Sequence, residues 1–165
     1  AGVMAALAAY HGLAGPLIQE HGGTLERFLG DGLVVLFNAP VACTEPEARA
    51  VRLALALRAG FTRALARWCT AKAESNGGIG IGIGIAHGAT TVGPIGFHGR
   101  LDYAAIGTVP NLAARLSAAA QDGQILIDAA TATAVCDAFP LATLGPSTIR
   151  GFVTPLPIFG VPGRP

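Results

Sequence analysis

The chain alternates between long apolar stretches and short polar or glycine-rich breaks, and the spacing of apolar positions changes from one stretch to the next. Residues 3–21 have the alanine and leucine content and the spacing of a helix, with Pro16 as a kink or break. The next two apolar runs, 24–29 and 33–37, flank a Gly-Asp-Gly sequence centred on Asp31. This arrangement predicts a β-hairpin that carries a carboxylate in its turn.

Residues 44–75 show the clearest helical periodicity in the sequence. Thr44 and Glu47 fit the capping-box pattern, and Pro46 falls in the first turn, where its missing N–H does no harm. The apolar positions that recur at helical spacing are Ala50, Leu53, Ala54, Leu57, Phe61, Ala64, Leu65 and Trp68. Arg58 lies at the edge of this stripe, where we expect its stem to pack and its guanidinium to stay in water.

Isoleucine and glycine alternate over residues 78–88, which is the period of two that is typical of a β-strand. The glycine face is smooth and lets another backbone or a ligand approach closely, and we expect residues 89–96 to pair back as the next strand. The pattern then predicts a helix, a strand, a short helix and a last strand at 109–121, 124–128, 129–136 and 154–161. This order favours an α+β fold in which helices cover a mostly antiparallel sheet.

Length, composition and charge narrow the class of protein. At 165 residues and 52% hydrophobic, the chain is expected to form one domain, 1–165, with a sizeable core. A net charge of +1 gives no reason to expect nucleic acid or an anionic membrane as a partner. Three cysteines at unrelated spacings favour a reducing compartment over a disulfide framework or a zinc site. The uncharged stretch 75–99 is too glycine-rich for a membrane span, and no signal-peptide pattern is present, so we expect a cytoplasmic protein.

Four stretches carry the strongest functional signal, and they occur in a fixed order. They are HGGTLERFLGDGLVVLFNAP (21–40), GIGIAHGATTVGPIGFHGRLDYAAIG (82–107), VPNLAARL (109–116) and IRGFVTPLPIFGV (149–161). Together they resemble the catalytic domain of class III nucleotidyl cyclases, the adenylate/guanylate cyclase family. The resemblance spans nearly the whole chain. It implies a ferredoxin-like, palm-type α+β fold and conversion of a nucleoside triphosphate to a 3′,5′-cyclic nucleotide and pyrophosphate.

The resemblance implies catalytic roles for three polar residues. The family places a metal-binding Asp at the Gly-Asp turn, here Asp31, and Mg²⁺ or Mn²⁺ is the implied cofactor. The family also uses the residue matching Asn111 to orient the ribose and the residue matching Arg115 to bind phosphate in the transition state. Asn111 and Arg115 are four residues apart and therefore share one helix face. Without the resemblance, Asp31 would be interpreted as a turn residue and the other two as a solvated polar stripe.

The sequence departs from the family at the positions that recognise the base. Arg27, four residues before Asp31, falls where adenylate cyclases commonly have Lys and guanylate cyclases have Glu. The paired position, often Asp or Thr in adenylate cyclases, is Ala104. Arg presents a different donor geometry from Lys but keeps the positive charge, which favours ATP over GTP; alternatively, Arg27 is an exposed strand cation. Arg150 lies in the loop where the family supplies a basic residue for the triphosphate.

The family begins with a strand and turn, roughly D-I-x-G-F-T, that carry a first metal-binding Asp, and no such stretch precedes Ala1. Two-metal sites need shared carboxylates, so Asp31 alone is expected to hold the ions poorly. We therefore expect this chain to be nearly inactive by itself and the full-length protein to be a cyclase. The family's active sites lie between two subunits, which implies a homodimer arranged head to tail.

Three other functions remain open at this stage. The altered base-recognition positions and the missing Asp would also suit a non-catalytic cyclase-homology domain that dimerises or binds nucleotide for regulation. A diguanylate cyclase has a similar palm-like fold, but its G-G-D/E-E-F signature is absent from the sequence. A plain α+β interaction module would use the Gly-Asp-Gly sequence only as a hairpin turn.

Overall fold

The computed structural model describes residues 2–69 and 80–163, and it confirms an α+β fold. The helices are α1 (Gly2–Glu20), α2 (Pro46–Cys69), α3 (Thr108–Ala119) and α4 (Ala129–Val135). The strands are β1 (Thr24–Leu29), β2 (Gly32–Leu36), β3 (Ile83–Ile85), β4 (Thr91–Phe97), β5 (Arg100–Ile106), β6 (Ile125–Asp128), β7 (Ala142–Ser147) and β8 (Leu156–Gly160). Within these ranges, no helix combines the length and the apolar character that crossing a membrane requires. The predicted end of the second helix, 70–75, lies outside the described residues.

The strands pair in three groups. Four of them form a sheet in the order β3-β6-β8-β7, in which the β3–β6 pair is parallel and the other two pairs are antiparallel. β1 with β2 and β4 with β5 form two antiparallel hairpins. The prediction of mostly antiparallel pairing is therefore confirmed.

The predicted pairing of residues 89–96 with the isoleucine–glycine strand is wrong. β4 pairs instead with β5 through a two-residue turn at His98 and Gly99, and the φ of +89° at Gly99 suits glycine. β3 pairs in parallel with β6. The sequence pattern predicts neither β5 nor β7, because both strands are mostly exposed and lack a buried apolar alternation.

The glycine face of β3 packs against α3 and not against a ligand. A Cβ atom on Gly84 would overlap the Ala113 carbonyl oxygen and the Ser117 amide nitrogen of that helix. A Cβ atom on Gly82 would lie 2.9 Å from the Ser117 carbonyl oxygen, and the Ser117 hydroxyl donates to the Gly82 carbonyl at 2.9 Å. The glycines thus let α3 lie directly on the strand, which fixes the helix that carries Asn111.

Three apolar clusters hold the elements together. The first joins α2 to α4 and β6, the second joins α1 to β2 and the other side of α2, and the third joins α3 to β6 and β8. The predicted apolar face of α2 is therefore buried on two sides, with Val51 in the first cluster and Leu53 in the second. At residue 60 of α2, a Cβ atom would come within 2.9 Å of the Leu13 side chain, so Gly60 permits the close crossing of α1.

Two predictions about polar groups on α2 are wrong. The Arg58 guanidinium does not stay in water: it donates to the carbonyl oxygens of Gly123 and Val161 at 3.3 and 3.1 Å and so ties the C-terminal strand to the helix. α2 begins at Pro46, close to the predicted start, but the Glu47 carboxylate contacts Nδ1 of His87 at 2.8 Å and does not turn back to Thr44 as a capping box requires.

Candidate nucleotide-binding site

The β1–β2 hairpin presents Arg27 on a strand and Asp31 in its turn. Leu25 lies opposite Val35 and Arg27 opposite Val34, so Glu26 is an extra residue in the pairing, a β-bulge. A bulge re-aims the side chains next to it, and these two neighbours differ sharply in exposure. The Glu26 side chain is 1% exposed, whereas that of Arg27 is 49% exposed.

The Glu26 carboxylate connects Arg27 to β5. Its Oε1 accepts a hydrogen bond from the Ala105 backbone N–H at 3.2 Å and lies 2.9 Å from Nη2 of Arg27. Its Oε2 accepts from Nε of Arg27 at 2.9 Å. Nε and Nη2 of Arg27 therefore bind both oxygens of the Glu26 carboxylate. Such bidentate pairs are stronger than pairs with a single hydrogen bond.

Arg27 and Ala104 lie in the wall of the same cavity, which has a volume of about 370 Å³. The remaining walls come from β4 and β5 and comprise Ile95, Gly96, Phe97, Arg100, Asp102 and Ile106. The four β5 residues alternate along the strand and so belong to one face of it. The cavity is half open to solvent and combines two cationic groups, one carboxylate and apolar surface.

Asp31 is exposed at the tip of the hairpin, close to α1. Burial of the phenol, and secondly the negative charge of Asp31, raise the pKa of Tyr10 above its usual 10.0. Across residues 2–69 and 80–163, no three His, Cys, Asp or Glu side chains gather into a cluster that could hold a metal ion.

Asn111 and Arg115 lie one turn apart on the exposed face of α3. Leu112 and Leu116 face inward and contact the third apolar cluster, which explains why the two polar residues face outward. The helix begins after Gly107, whose φ of +144° is a conformation that other residues rarely adopt. The predicted placement of both side chains on one helix face is therefore confirmed.

Arg150 is exposed in the turn between β7 and β8, next to Ile149, which is buried in the third cluster. Of the six predicted site residues, the structure brings Arg27 and Ala104 together. Asp31, Asn111, Arg115 and Arg150 are all exposed and lie outside the walls of that cavity.

Sequence reasoning missed three charged groups at or beside this cavity: Glu26, Arg100 and Asp102. The alternation of RLDYAAI (100–106) would place Arg100 and Asp102 on the same face as Ala104, had the stretch been recognised as a strand. Glu26 carried no such signal, because its position depends on the bulge in β1.

The fold and these motifs belong to a known class of protein. The chain is a member of the adenylate and guanylate cyclase catalytic domain family, which it matches over residues 3–157. The expected family and the palm-type cyclase fold are thereby confirmed.

Particular relatives include both kinds of cyclase. The chain is 32% identical over 163 residues to adenylate cyclase 1 of Rhizobium meliloti, covering 98% of this chain and 24% of that protein. The crystal structure of adenylyl cyclase CyaB from P. aeruginosa superposes with a TM-score of 0.92 at 28% identity, covering 99% of this chain and 83% of that one. The guanylyl cyclase Cya2 superposes with a TM-score of 0.84 at 31% identity, covering 99% and 81%. The chain spans about a quarter of the length of its curated Rhizobium relative.

Proposed function

We propose that residues 1–165 form one cyclase-type catalytic domain, and that the full-length protein converts a nucleoside triphosphate to a 3′,5′-cyclic nucleotide and pyrophosphate in intracellular signalling. The observation that carries this proposal is the shared cavity wall of Arg27 on β1 and Ala104 on β5, the two positions that match the family's base-recognition pair. Membership of the cyclase family supports the reaction class. We place the protein in the cytoplasm, where nucleoside triphosphates are abundant.

The reaction assigns a task to each exposed polar residue. The ribose 3′-oxygen attacks the α-phosphorus, the bond to pyrophosphate breaks, and the hydroxyl proton is released. We assign Asn111 to the orientation of the ribose and Arg115 to the charge that develops on the α-phosphoryl group. Arg150 binds the outgoing phosphates. The exposure of all three supports these roles, since each must reach a ligand.

The metal cofactor of the proposed reaction is Mg²⁺ or Mn²⁺. When bound, such an ion neutralises phosphate charge and makes the attacking hydroxyl more acidic. Asp31 would supply one ligand, and the triphosphate, water and other protein groups would supply the rest. Because two-metal sites share carboxylates and Asp31 supplies only one, we propose that residues 1–165 alone turn over little or no substrate.

We further propose a homodimer arranged head to tail, in which Asp31 of one copy meets the base pocket, Asn111 and Arg115 of the other. Large apolar side chains are exposed on β1, β4 and β5, the three strands that surround the cavity. They are Leu25, Phe28, Leu29, Ile95, Phe97, Leu101 and Ile106. Apolar surface of this kind supports burial against a second copy.

ATP is the substrate that we favour over GTP. The support for this preference is the resemblance alone, because Arg27 is a basic residue where adenylate cyclases have Lys and guanylate cyclases have Glu. The relatives include both adenylate and guanylyl cyclases. They do not select between ATP and GTP, so the proposed preference for ATP rests on Arg27.

A non-catalytic cyclase-homology domain is the second candidate function. The methyl group of Ala104 has no polar atom with which to select a base, and the described residues gather no metal-binding cluster. Such a domain would dimerise or bind nucleotide without converting it.

Cyclic-nucleotide formation by the full-length protein, with Mn²⁺ and either ATP or GTP, tests the proposed function. We expect Arg115→Ala to lower turnover about 10²- to 10³-fold, as loss of one transition-state donor does elsewhere. Arg63→Ala is the matched control, because Arg63 is exposed on α2 away from the cavity. A folded protein that forms no cyclic nucleotide, yet melts at a higher temperature with ATP, would favour the second candidate.

A further inference from the structure

We infer that Glu26 is a positioning residue for base selection, because it fixes the Arg27 guanidinium so that only one end of that group meets the purine. The inference rests on the proposed function and deepens it at the base pocket. Glu26 is next to a predicted site residue, but it is 1% exposed and is not itself part of the cavity wall. Its effect on the substrate therefore passes through Arg27.

The hydrogen bonds decide which part of Arg27 is available. Nε and Nη2 both lie 2.9 Å from Glu26, one on each carboxylate oxygen. A guanidinium has five N–H donors. With one edge used by the carboxylate, the two donors on Nη1 and the outer one on Nη2 remain for a ligand. Arg27 is thus a directed donor and not a cation free to rotate.

Charge leads to the same conclusion. A bidentate Glu26–Arg27 pair carries no net charge, so positive potential alone cannot select the base. Selection must then depend on where the free N–H groups lie relative to acceptors on the purine edge. The family's base-recognition pair corresponds to Arg27 and Ala104. In this chain Glu26 and Arg27 act together on the base, and the Ala104 methyl group only leaves space for it.

The backbone holds this unit in register with the opposite wall. The Glu26 carboxylate accepts the N–H of Ala105, the neighbour of Ala104 on β5. The bulge makes this contact possible, since one extra residue changes which face of β1 a side chain occupies. Glu26 thus connects the two strands that carry the base-recognition positions.

Glu26→Gln in the full-length protein tests the inference. The amide oxygen can still accept from the Ala105 N–H and from Nη2 of Arg27, but the NH₂ group cannot accept from Nε, so the bidentate fork and its opposite charge are lost and the guanidinium is less firmly held. We expect the ratio of KM values for ATP and GTP to change about tenfold, the factor that corresponds to about 1.4 kcal/mol of differential binding, with kcat for the preferred substrate changed less. Glu45→Gln is the matched control, because Glu45 pairs with Arg52 at 3.9 Å and is 70% exposed.

Both KM values are measured on the same variant, so a general loss of stability affects both nucleotides and cancels in the ratio. Glu26→Asp keeps the charge on a shorter stem, and we expect it to retain part of the discrimination. Arg27→Lys removes the fork, so adding Glu26→Gln to it should change the ratio no further. If Glu26→Gln alone does not fold, Glu26→Asp provides the measurement of the ratio.

The outcomes separate the inference from the proposed function. An unchanged ATP-to-GTP ratio in folded Glu26→Gln overturns the inference and leaves the cyclase function intact. If the wild type forms no cyclic nucleotide, the function fails. In that case the nucleotide preference is measured by binding, with ATP and GTP each competing against a fluorescent triphosphate for the wild type and for Glu26→Gln. Loss of that preference in Glu26→Gln supports the inference, and a wild type without any preference overturns it.

Discussion

At the scale of single residues, Asp31 acts on Tyr10 of the neighbouring helix α1. Its charge raises the pKa of Tyr10, after the larger contribution from burial of the phenol. Asp31 is therefore close to α1 as well as at the tip of a hairpin. The hairpin that carries Asp31 also contacts α1 through aromatic rings, since His11 lies against Phe28 of β1 in a tilted arrangement with ring centroids 4.6 Å apart.

Asp31→Asn should lower the pKa of Tyr10 and leave it still above 10.0, because the carboxylate charge is removed while the burial remains. The chain has two tyrosines, so a Tyr103→Phe background isolates Tyr10 in a tyrosinate absorbance titration. A midpoint that does not move would contradict the proximity of Asp31 and Tyr10.

The raised pKa of Tyr10 also makes the free energy of unfolding depend on pH. The folded state holds the phenolic proton more tightly than the unfolded state does. The stabilisation from the protonated phenol is therefore fully present below the unfolded pKa and is lost as the pH rises through the folded pKa. Tyr10→Phe should therefore weaken the decline of stability in strongly alkaline solution.

At the scale of elements, periodicity predicted most helices and the β1–β2 hairpin, but not the contacts among strands. The isoleucines of 78–88 indicated a strand correctly, whereas nothing in that stretch specified β6 as its neighbour or α3 as the cover of its glycines. β5 and β7 lack the buried alternation on which strand prediction depends. The bulge at Glu26 is a property of the paired strands, so one strand's sequence does not reveal it.

The same limits apply to the candidate site. The family motifs located Arg27 and Ala104, and these two line one cavity. Glu26, Arg100 and Asp102 come to that region only through tertiary contacts between β1 and β5 and through the exposed face of β5. Motifs thus locate residues that a family shares, and packing supplies those particular to this chain.

Gly84→Ala tests the packing of β3 against α3. The added methyl group would overlap backbone atoms of Ala113 and Ser117, which cannot rotate away. We expect the free energy of unfolding to fall by about 1–3 kcal/mol, the usual cost of overpacking a core. Gly93→Ala in β4 is the matched control, since nothing lies within 4 Å of its Cβ position. Equal stability of the two variants in urea denaturation would disprove the close contact.

At the scale of the whole molecule, the candidate residues do not form one site within a single chain's cavity. Arg27 and Ala104 line the cavity, whereas Asp31, Asn111 and Arg115 are exposed outside it. The strands that line the cavity also carry exposed apolar residues, of which Ile95, Phe97 and Ile106 belong to its wall. A second copy that buries this surface would cover the same region and bring its own Asp31 to it, which is the reason for the composite site that we propose.

Mixing two inactive variants of the full-length protein tests that composite site. Asp31→Ala and Arg115→Ala should each be inactive alone, but a heterodimer of the two has one site with both groups intact. If subunits exchange at random, half of the dimers contain one copy of each variant, and each of these dimers has one intact site of its two. Activity should therefore recover to about a quarter of wild type. Asn111→Ala mixed with Arg115→Ala is the matched control and should recover nothing, because every mixed site lacks one of the two. If heterodimers form and the first mixture stays inactive, Asp31 and Arg115 act from the same chain and the head-to-tail arrangement is wrong.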